Sequence, residues 1–181
     1  MKKDNLYIIT GGPGVGKTTL IDELAKNNFQ VVQEDARKII KQQHSVSGEG
    51  LPWKNKDLYA ELMFNASVRS YDEVNVEASM PIFFDRGILD SICYMKMENI
   101  PISKKKNEIL KKYAYNKKVF ILPPWEEIYK TDDERKQSWD EAQATFTRMK
   151  ETYSEYGYKV IEVPKINARE RVDFLLNEIS R

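Results

Sequence analysis

Residues 10–20 read "TGGPGVGKTTL", and the fold turns on this stretch. Four glycines and one lysine stand between an apolar run, Leu6-Tyr7-Ile8-Ile9, and a segment with helical spacing, Leu20 to Lys26. Counted from Gly11, the pattern G-x-x-x-x-G-K-[ST] is satisfied by Gly11, Gly16, Lys17 and Thr18, with the required strand before it and helix after it. The glycines let successive backbone N–H groups turn toward one anion. The helix opening near Gly16 adds its positive dipole end, and Lys17 supplies a point charge for the outer phosphates. The expected phosphate cradle is Gly12, Pro13, Gly14, Val15, Gly16, Lys17, Thr18 and Thr19, with the Thr18 hydroxyl on Mg²⁺. A dinucleotide loop is excluded, because G-x-G-x-x-G counted from Gly12 requires glycine where Lys17 stands.

A chain of 181 residues is long enough for one core of sheet and helices without metal or disulfide support, so a single domain over 1–181 is expected. Its single cysteine, Cys93, allows neither a disulfide framework nor a cysteine metal site. Met1-Lys2-Lys3-Asp4 leads directly into the first apolar run, and no stretch approaches membrane-spanning length. A soluble, cytoplasmic protein without a membrane partner is the expectation.

Apolar, β-rich runs recur at Leu6–Thr10, Phe29–Gln33, Pro81–Phe84, Val119–Leu122 and Tyr158–Val163, with helical patterns between them. This alternation predicts an α/β fold with a parallel sheet covered by helices. The clearest helix carries Trp139, Ala142, Phe146, Met149, Tyr153 and Tyr156 on one stripe and stops before Gly157, a natural left-handed cap. The last helix starts at Asn167, with Glu170 in a variant of the capping box, and turns Val172, Leu175, Leu176 and Ile179 inward. Two stretches lack periodicity: "HSVSGEGLPWKNKD" from His44 to Asp57, and the polar "YKTDDERKQS" from Tyr129 to Ser138. Their positions, after the second and fourth strands, suit a substrate cover and a lid as well as plain solvated loops. His44 reads as an exposed polar residue.

The third strand ends in "PIFFDRGILD". An acid directly after an apolar strand can reach a Mg²⁺ held at the neighbouring loop, which makes Asp85 the second metal candidate beside Thr18. Arg86 follows where a water-activating site would place another carboxylate, and an arginine there favours holding a second anion or a hydroxyl-bearing substrate. Asp90 either orients Arg86 or stabilises a helix start. The second strand ends in "VVQEDARKII". A carboxylate at that strand end can accept a proton from an attacking hydroxyl; Glu34 is favoured over Asp35, which is placed to cap the helix beginning near Ala36. In "TDDERK", Arg135 either neutralises charge on a transferring phosphoryl group or is a solvated arginine beside acids.

Lysines 104, 105, 106, 111, 112, 117 and 118 form a basic segment, but the acids Glu126, Glu127, Asp132, Asp133 and Glu134 follow closely and the net charge is only +1. A solvated helix face is expected there, not a nucleic-acid surface. Guanine specificity is unsupported, since "NKKV" at Asn116 precedes the fourth strand and has valine where the acid of N-K-x-D belongs.

With the phosphate loop, the E-x-x-R at Glu34 to Arg37, "FFDRGILD" at Phe83 to Asp90 and "DDERKQSWDEA" at Asp132 to Ala142, the sequence resembles the small AAA-labelled P-loop ATPases. These are similar to the kinase domain of bacterial ribosylnicotinamide kinase and to nucleoside and nucleotide kinases. The resemblance runs from the first strand through "YGYKVIEVP", Tyr156 to Pro164. It implies a P-loop NTPase fold of nucleotide-kinase type with a five-stranded parallel sheet flanked by helices, ATP with Mg²⁺, and a lid bearing Arg135. It also implies that Glu34 matches the base at the end of the second strand and that Asp85 and Arg86 match the acid-arginine pair after the third. "VPKINAR", Val163 to Arg169, matches an adenine-side loop. The expected catalytic set is therefore Lys17, Glu34, Asp85, Arg86 and Arg135, moving the γ-phosphoryl of ATP to a small hydroxyl- or phosphate-bearing acceptor. The alternative is a nucleotide-dependent switch ATPase acting on a macromolecular partner.

Overall fold

Each central strand alternates large apolar side chains to both faces, so the sheet can persist only with helices packed on both sides. The computed structural model describes residues 4–75, 80–128 and 138–181. In chain order these form β1 (Leu6–Gly11), α1 (Lys17–Lys26), β2 (Gln30–Val32), α2 (Ala36–Ser45), α3 (Lys56–Asp72), β3 (Ile82–Asp85), α4 (Ile88–Met97), α5 (Lys104–Lys112), β4 (Lys118–Leu122), α6 (Trp139–Glu155), β5 (Lys159–Glu162) and α7 (Ala168–Ser180). The strands make one five-stranded sheet in the order β2-β3-β1-β4-β5, parallel throughout. All five expected strands form, each within a residue or two of its expected bounds.

On one face Leu6, Ile8, Ile82, Phe84 and Val119 pack with residues of α3, α4 and α6; on the other Tyr7, Ile9, Phe83, Phe120 and Leu122 pack with α1 and α7. The stripe of α6 buries Ala142, Met149 and Tyr153, and the helix ends before Gly157, whose φ of 76° is the left-handed conformation expected of it. In α7 the Asn167 side chain accepts from the Glu170 N–H at 3.0 Å, capping the helix, and its amide donates to the Glu170 carboxylate at 2.7 Å in place of the backbone N–H of a full capping box. The basic segment is a solvated face as expected: α5 buries none of its residues.

Two expectations are corrected. His44 and Ser45 belong to α2 and Lys56 and Asp57 to α3, so the aperiodic stretch is shorter than its composition suggests. What remains is tied down, with Leu51 buried and the Gly50 N–H donating to the Gln43 side chain at 2.9 Å. Asp35 stands at the start of α2 but its side chain makes no cap; it accepts instead from Ser70 at 2.9 Å.

The strand order positions the site. Because β3 lies between β2 and β1, the carboxyl ends of three strands open side by side against the phosphate loop, where open α/β sheets bind ligands.

Candidate active site

The phosphate loop leaves β1 at Gly11, where an added Cβ would stand 2.9 Å from the Leu122 carbonyl oxygen, so only glycine lets β1 and β4 close around the turn. It re-enters helix at Gly16, whose φ of 79° is the left-handed region. No side chain caps α1. Its first N–H groups and positive dipole end are thereby left for an anion, as a phosphate cradle needs. Thr18 and Thr19 are exposed on the first turn, while Lys17 is buried.

Lys17 Nζ makes an ion pair with Asp85 Oδ1 and lies 3.5 Å from Glu34 Oε2. The pairing follows from register, since Ile9 faces Asp85 across β1 and β3. Burial pushes the Asp85 carboxyl upward, and Lys17 offsets only part of that push. The Arg86 N–H donates to the Ile9 carbonyl at 2.9 Å, and Arg86 takes a φ of 75°, a conformation that costs a residue with a Cβ about 1–2 kcal/mol. This turn brings the guanidinium back over the strand ends. There Nε donates to Glu34 Oε1 at 2.7 Å and Nη1 to Asp90 Oδ1 at 3.1 Å. Burial alone would lower the Arg86 pKa, but Glu34, Asp90 and Asp85 outweigh it and raise it. Burial likewise pushes Glu34 up, yet Arg86 and Lys17 prevail and hold its carboxyl below the usual range. Glu34 is ionised at neutral pH.

Asp90 anchors this chain of charges. Besides Arg86 it accepts from the Thr10 hydroxyl at 2.5 Å, the Tyr153 hydroxyl at 2.5 Å and the Gly87 N–H at 2.9 Å. Both roles weighed for it therefore hold: it orients Arg86 and satisfies the start of α4.

The strand ends open into a cavity of about 290 Å³, walled by Tyr59 and Met63 of α3, Tyr94 of α4, Met149 of α6, and the Glu34–Arg86 pair. Burial, then the Glu34 charge, push the Tyr59 phenol up to about 12, and burial raises Tyr94, so both rings present neutral hydroxyls. The Tyr94 hydroxyl is buried and has no hydrogen-bond partner among the described residues. Cys93 also lines the cavity; burial pushes its thiol up to about 11, which leaves it an unreactive apolar wall. Neutral rings with a few convergent polar groups are the lining of a small-molecule pocket.

The structure thus gathers Lys17, Glu34, Asp85 and Arg86, with Thr18 on the adjoining helix turn. Arg135 and the expected lid, apart from Ser138, lie outside the described residues. The sequence reading missed two participants. Tyr153 was read as core, and its ring is, but its hydroxyl supports Asp90. Arg171 of α7 reaches the back of the phosphate loop, donating to the Val15 carbonyl at 3.1 Å. A signal was present: Arg171 occupies an apolar position in the stripe of Val172, Leu175, Leu176 and Ile179.

The profile of an AAA domain family matches residues 6–171. The chain belongs to this AAA domain family. No curated protein matches the sequence significantly. Solved structures sharing the fold include deoxyadenosine kinase from M. mycoides with bound dATP, at 16% identity and a TM-score of 0.64, covering 97% of this chain and 99% of that one. A NadR protein in complex with NR aligns at 16% identity and a TM-score of 0.72, covering 97% of this chain and 51% of that one. Shikimate kinase from Acinetobacter baumannii, bound to shikimate, aligns at 17% identity with a TM-score of 0.55, covering 99% and 94%. The AAA domain of this chain therefore has the α/β fold of P-loop kinases. No helix among the described residues is long and apolar enough to cross a membrane.

Proposed function

We propose that this AAA domain is an ATP-dependent phosphotransferase that moves the γ-phosphoryl group of ATP to a hydroxyl of a small nucleoside- or riboside-like acceptor in the cavity beside the phosphate loop. One observation carries the reading: Glu34, kept ionised by Arg86 and Lys17, stands where the cavity meets the phosphate loop. In the reaction the acceptor oxygen attacks the γ-phosphorus, the bond from that phosphorus to the departing ADP oxygen breaks, and the hydroxyl proton passes to the Glu34 carboxylate. A carboxylate with a lowered pKa is a weak base. Phosphoryl transfer tolerates this, because its loose transition state asks more for positioning and charge neutralisation than for proton removal.

The uncapped start of α1 and the cradle from Gly12 to Thr19 fit the phosphates of ATP, with Lys17 placed to neutralise the outer ones. Thr18 and Asp85 fit Mg²⁺, which supplies further neutralisation when bound. The described residues contain no cluster of three or more metal-ligating side chains, which suits an ion that keeps several waters and takes phosphate oxygens as its other ligands. A phosphorylated acceptor suits the cavity less well. Among the described residues its lining sets four carboxylates, Glu34, Asp35, Asp85 and Asp90, against one guanidinium, that of Arg86, which is already shared between two of them. The small volume of about 290 Å³ also supports a metabolite-sized acceptor over a macromolecular one.

Transfer of label from γ-³²P-ATP, followed across a panel of nucleosides, nucleoside monophosphates and ribosides with Mg²⁺, tests the reading. Label on a nucleoside or riboside, with matching ADP release, is the expected result. Label appearing only as inorganic phosphate, at one rate whatever the acceptor, would overturn it in favour of the switch ATPase.

A further inference from the structure

We propose that Arg171 is a positioning residue of the phosphate loop whose guanidinium, buried behind Val15 and Gly16 with no carboxylate partner among the described residues, takes the bound polyphosphate as its counter-anion. The inference rests on the phosphate-loop reading above and adds a residue from the last helix to it.

Arg171 is 2% exposed. Its Nη1 donates to the Val15 carbonyl at 3.1 Å and its Nε to the Pro164 carbonyl at 3.0 Å, joining the phosphate loop to the turn after β5. The guanidinium lies over the Trp125 ring at 4.9 Å, and Nη1 is 3.1 Å from where a Gly16 side chain would begin. Nη2 is buried without a hydrogen-bond partner among the described residues. Glu170, its neighbour in sequence, is engaged with Asn167. Burial lowers the Arg171 pKa, and among the described residues no carboxylate offsets it.

A cation in this place is unfavourable on three counts. Among the described residues it is buried without a counter-charge. It sits in the first turn of α7, whose positive dipole end repels it, and it lies just behind the positive end of α1. Two carbonyl hydrogen bonds and one aromatic face engage Nε, Nη1 and the guanidinium plane but leave Nη2 unpartnered among the described residues and the charge uncompensated. A polyphosphate on the other side of the Val15–Gly16 backbone supplies the missing negative charge through a thin, low-dielectric layer. The same contact holds the Val15 carbonyl turned toward α7, so that the adjoining N–H groups stay directed at the phosphates. Binding relieves in the complex a cost carried by the free protein.

The probes are sodium tripolyphosphate and Mg²⁺-ATP, measured by thermal shift and by titration calorimetry on the wild-type chain, Arg171→Met and Arg171→Lys. Methionine removes the charge at similar bulk; lysine keeps it and reaches one carbonyl. Arg171→Met should weaken tripolyphosphate binding about tenfold, and Arg171→Lys should restore it to within about threefold of wild type. The KM for ATP should rise in parallel in Arg171→Met while kcat at saturating ATP stays within about twofold, since Arg171 touches no reacting atom. A purely structural role would lower the melting temperature of the free protein and leave the ligand-induced shift of folded protein unchanged. If Arg171→Met does not fold, Arg171→Gln, which keeps an amide donor for the Val15 carbonyl, carries the same comparison. Undiminished binding in the neutral variant overturns the proposal, as does equal loss in both variants. Wild-type protein that binds neither probe would instead remove the phosphate-loop reading beneath it.

Discussion

The two sides of the phosphate loop each place an arginine against it, and they hold it in opposite ways. On the cavity side Arg86 is clasped between Glu34 at 2.7 Å and Asp90 at 3.1 Å, and Asp90 is itself fixed by Thr10, Tyr153 and the Gly87 N–H. Behind the loop Arg171 has carbonyls and an indole ring for neighbours. A clasped cation has its field largely spent within the protein, which suits a group that orients a base and an acceptor. An unclasped one keeps its field for a ligand. The protein thus has an acid-rich side, its arginine already clasped, for a hydroxyl, and behind the loop an arginine whose charge is left for an anion. Changes that unclasp Arg86 test whether this division matters.

Glu34→Gln is the most severe of them. Glutamine keeps the shape but loses both the basicity and the charge that clasps Arg86, so acceptor phosphorylation should fall by about 10³-fold, from lost positioning as well as lost proton acceptance, while the Kd for ATP stays within about twofold. Quenched-flow measurement of acceptor phosphorylation beside calorimetric ATP binding checks both halves. Loss of ATP affinity in the variant would mean that Glu34 serves the metal or the loop, and the two sides would not be separate.

Asp90→Asn releases the other hand of the clasp at a residue that need not touch substrate. Asparagine retains one acceptor oxygen where the carboxylate served four donors, so Arg86 loses its fixed direction. The kcat/KM for the acceptor should drop by up to about 10²-fold, as small misplacements of a positioning group do, with the KM for ATP nearly unchanged. Equal losses for both substrates in steady-state kinetics would mark Asp90 as a support of the whole sheet edge instead.

Why this division was only half legible in the sequence follows from what carries each part. The order of strands and helices was readable because burial imposes periods of two and 3.6 on local sequence, and the loop was readable because its glycines, lysine and threonine are contiguous. Glu34, Asp85 and Arg86 were readable because strand ends beside such a loop have a known exposure. Tyr153 and Arg171 were not, since each sits on a helical stripe that periodicity assigns wholesale to core, and what their polar tips meet is set by chain 63 residues away for Tyr153 and 156 residues away for Arg171. The start of α3 and the end of α2 were hidden by glycines and a proline clustered between them.

The gentlest way to unclasp Arg86 is to protonate its partner, and here two neighbouring carboxylates should move in opposite directions. Glu34 has a folded pKa below its ordinary 4.5, so the stability it contributes is fully present above 4.5 and is lost as the pH falls through the lowered value. Asp85 has a folded pKa above its ordinary 3.8, so its contribution is greatest below 3.8 and declines as the pH rises through the raised value. Melting temperatures of wild type, Glu34→Gln and Asp85→Asn compared at matched pH between 3 and 7 read this directly. The advantage of wild type over Glu34→Gln should grow with pH. The advantage over Asp85→Asn should shrink, because asparagine avoids the cost of ionising a buried acid whose cation, Lys17, has further work at the phosphates. Two differences that rise together would mean that Lys17 fully compensates Asp85 in the free protein. The cavity-side charges would then form one tight cluster, and the contrast with Arg171 would be sharper than the present geometry makes it.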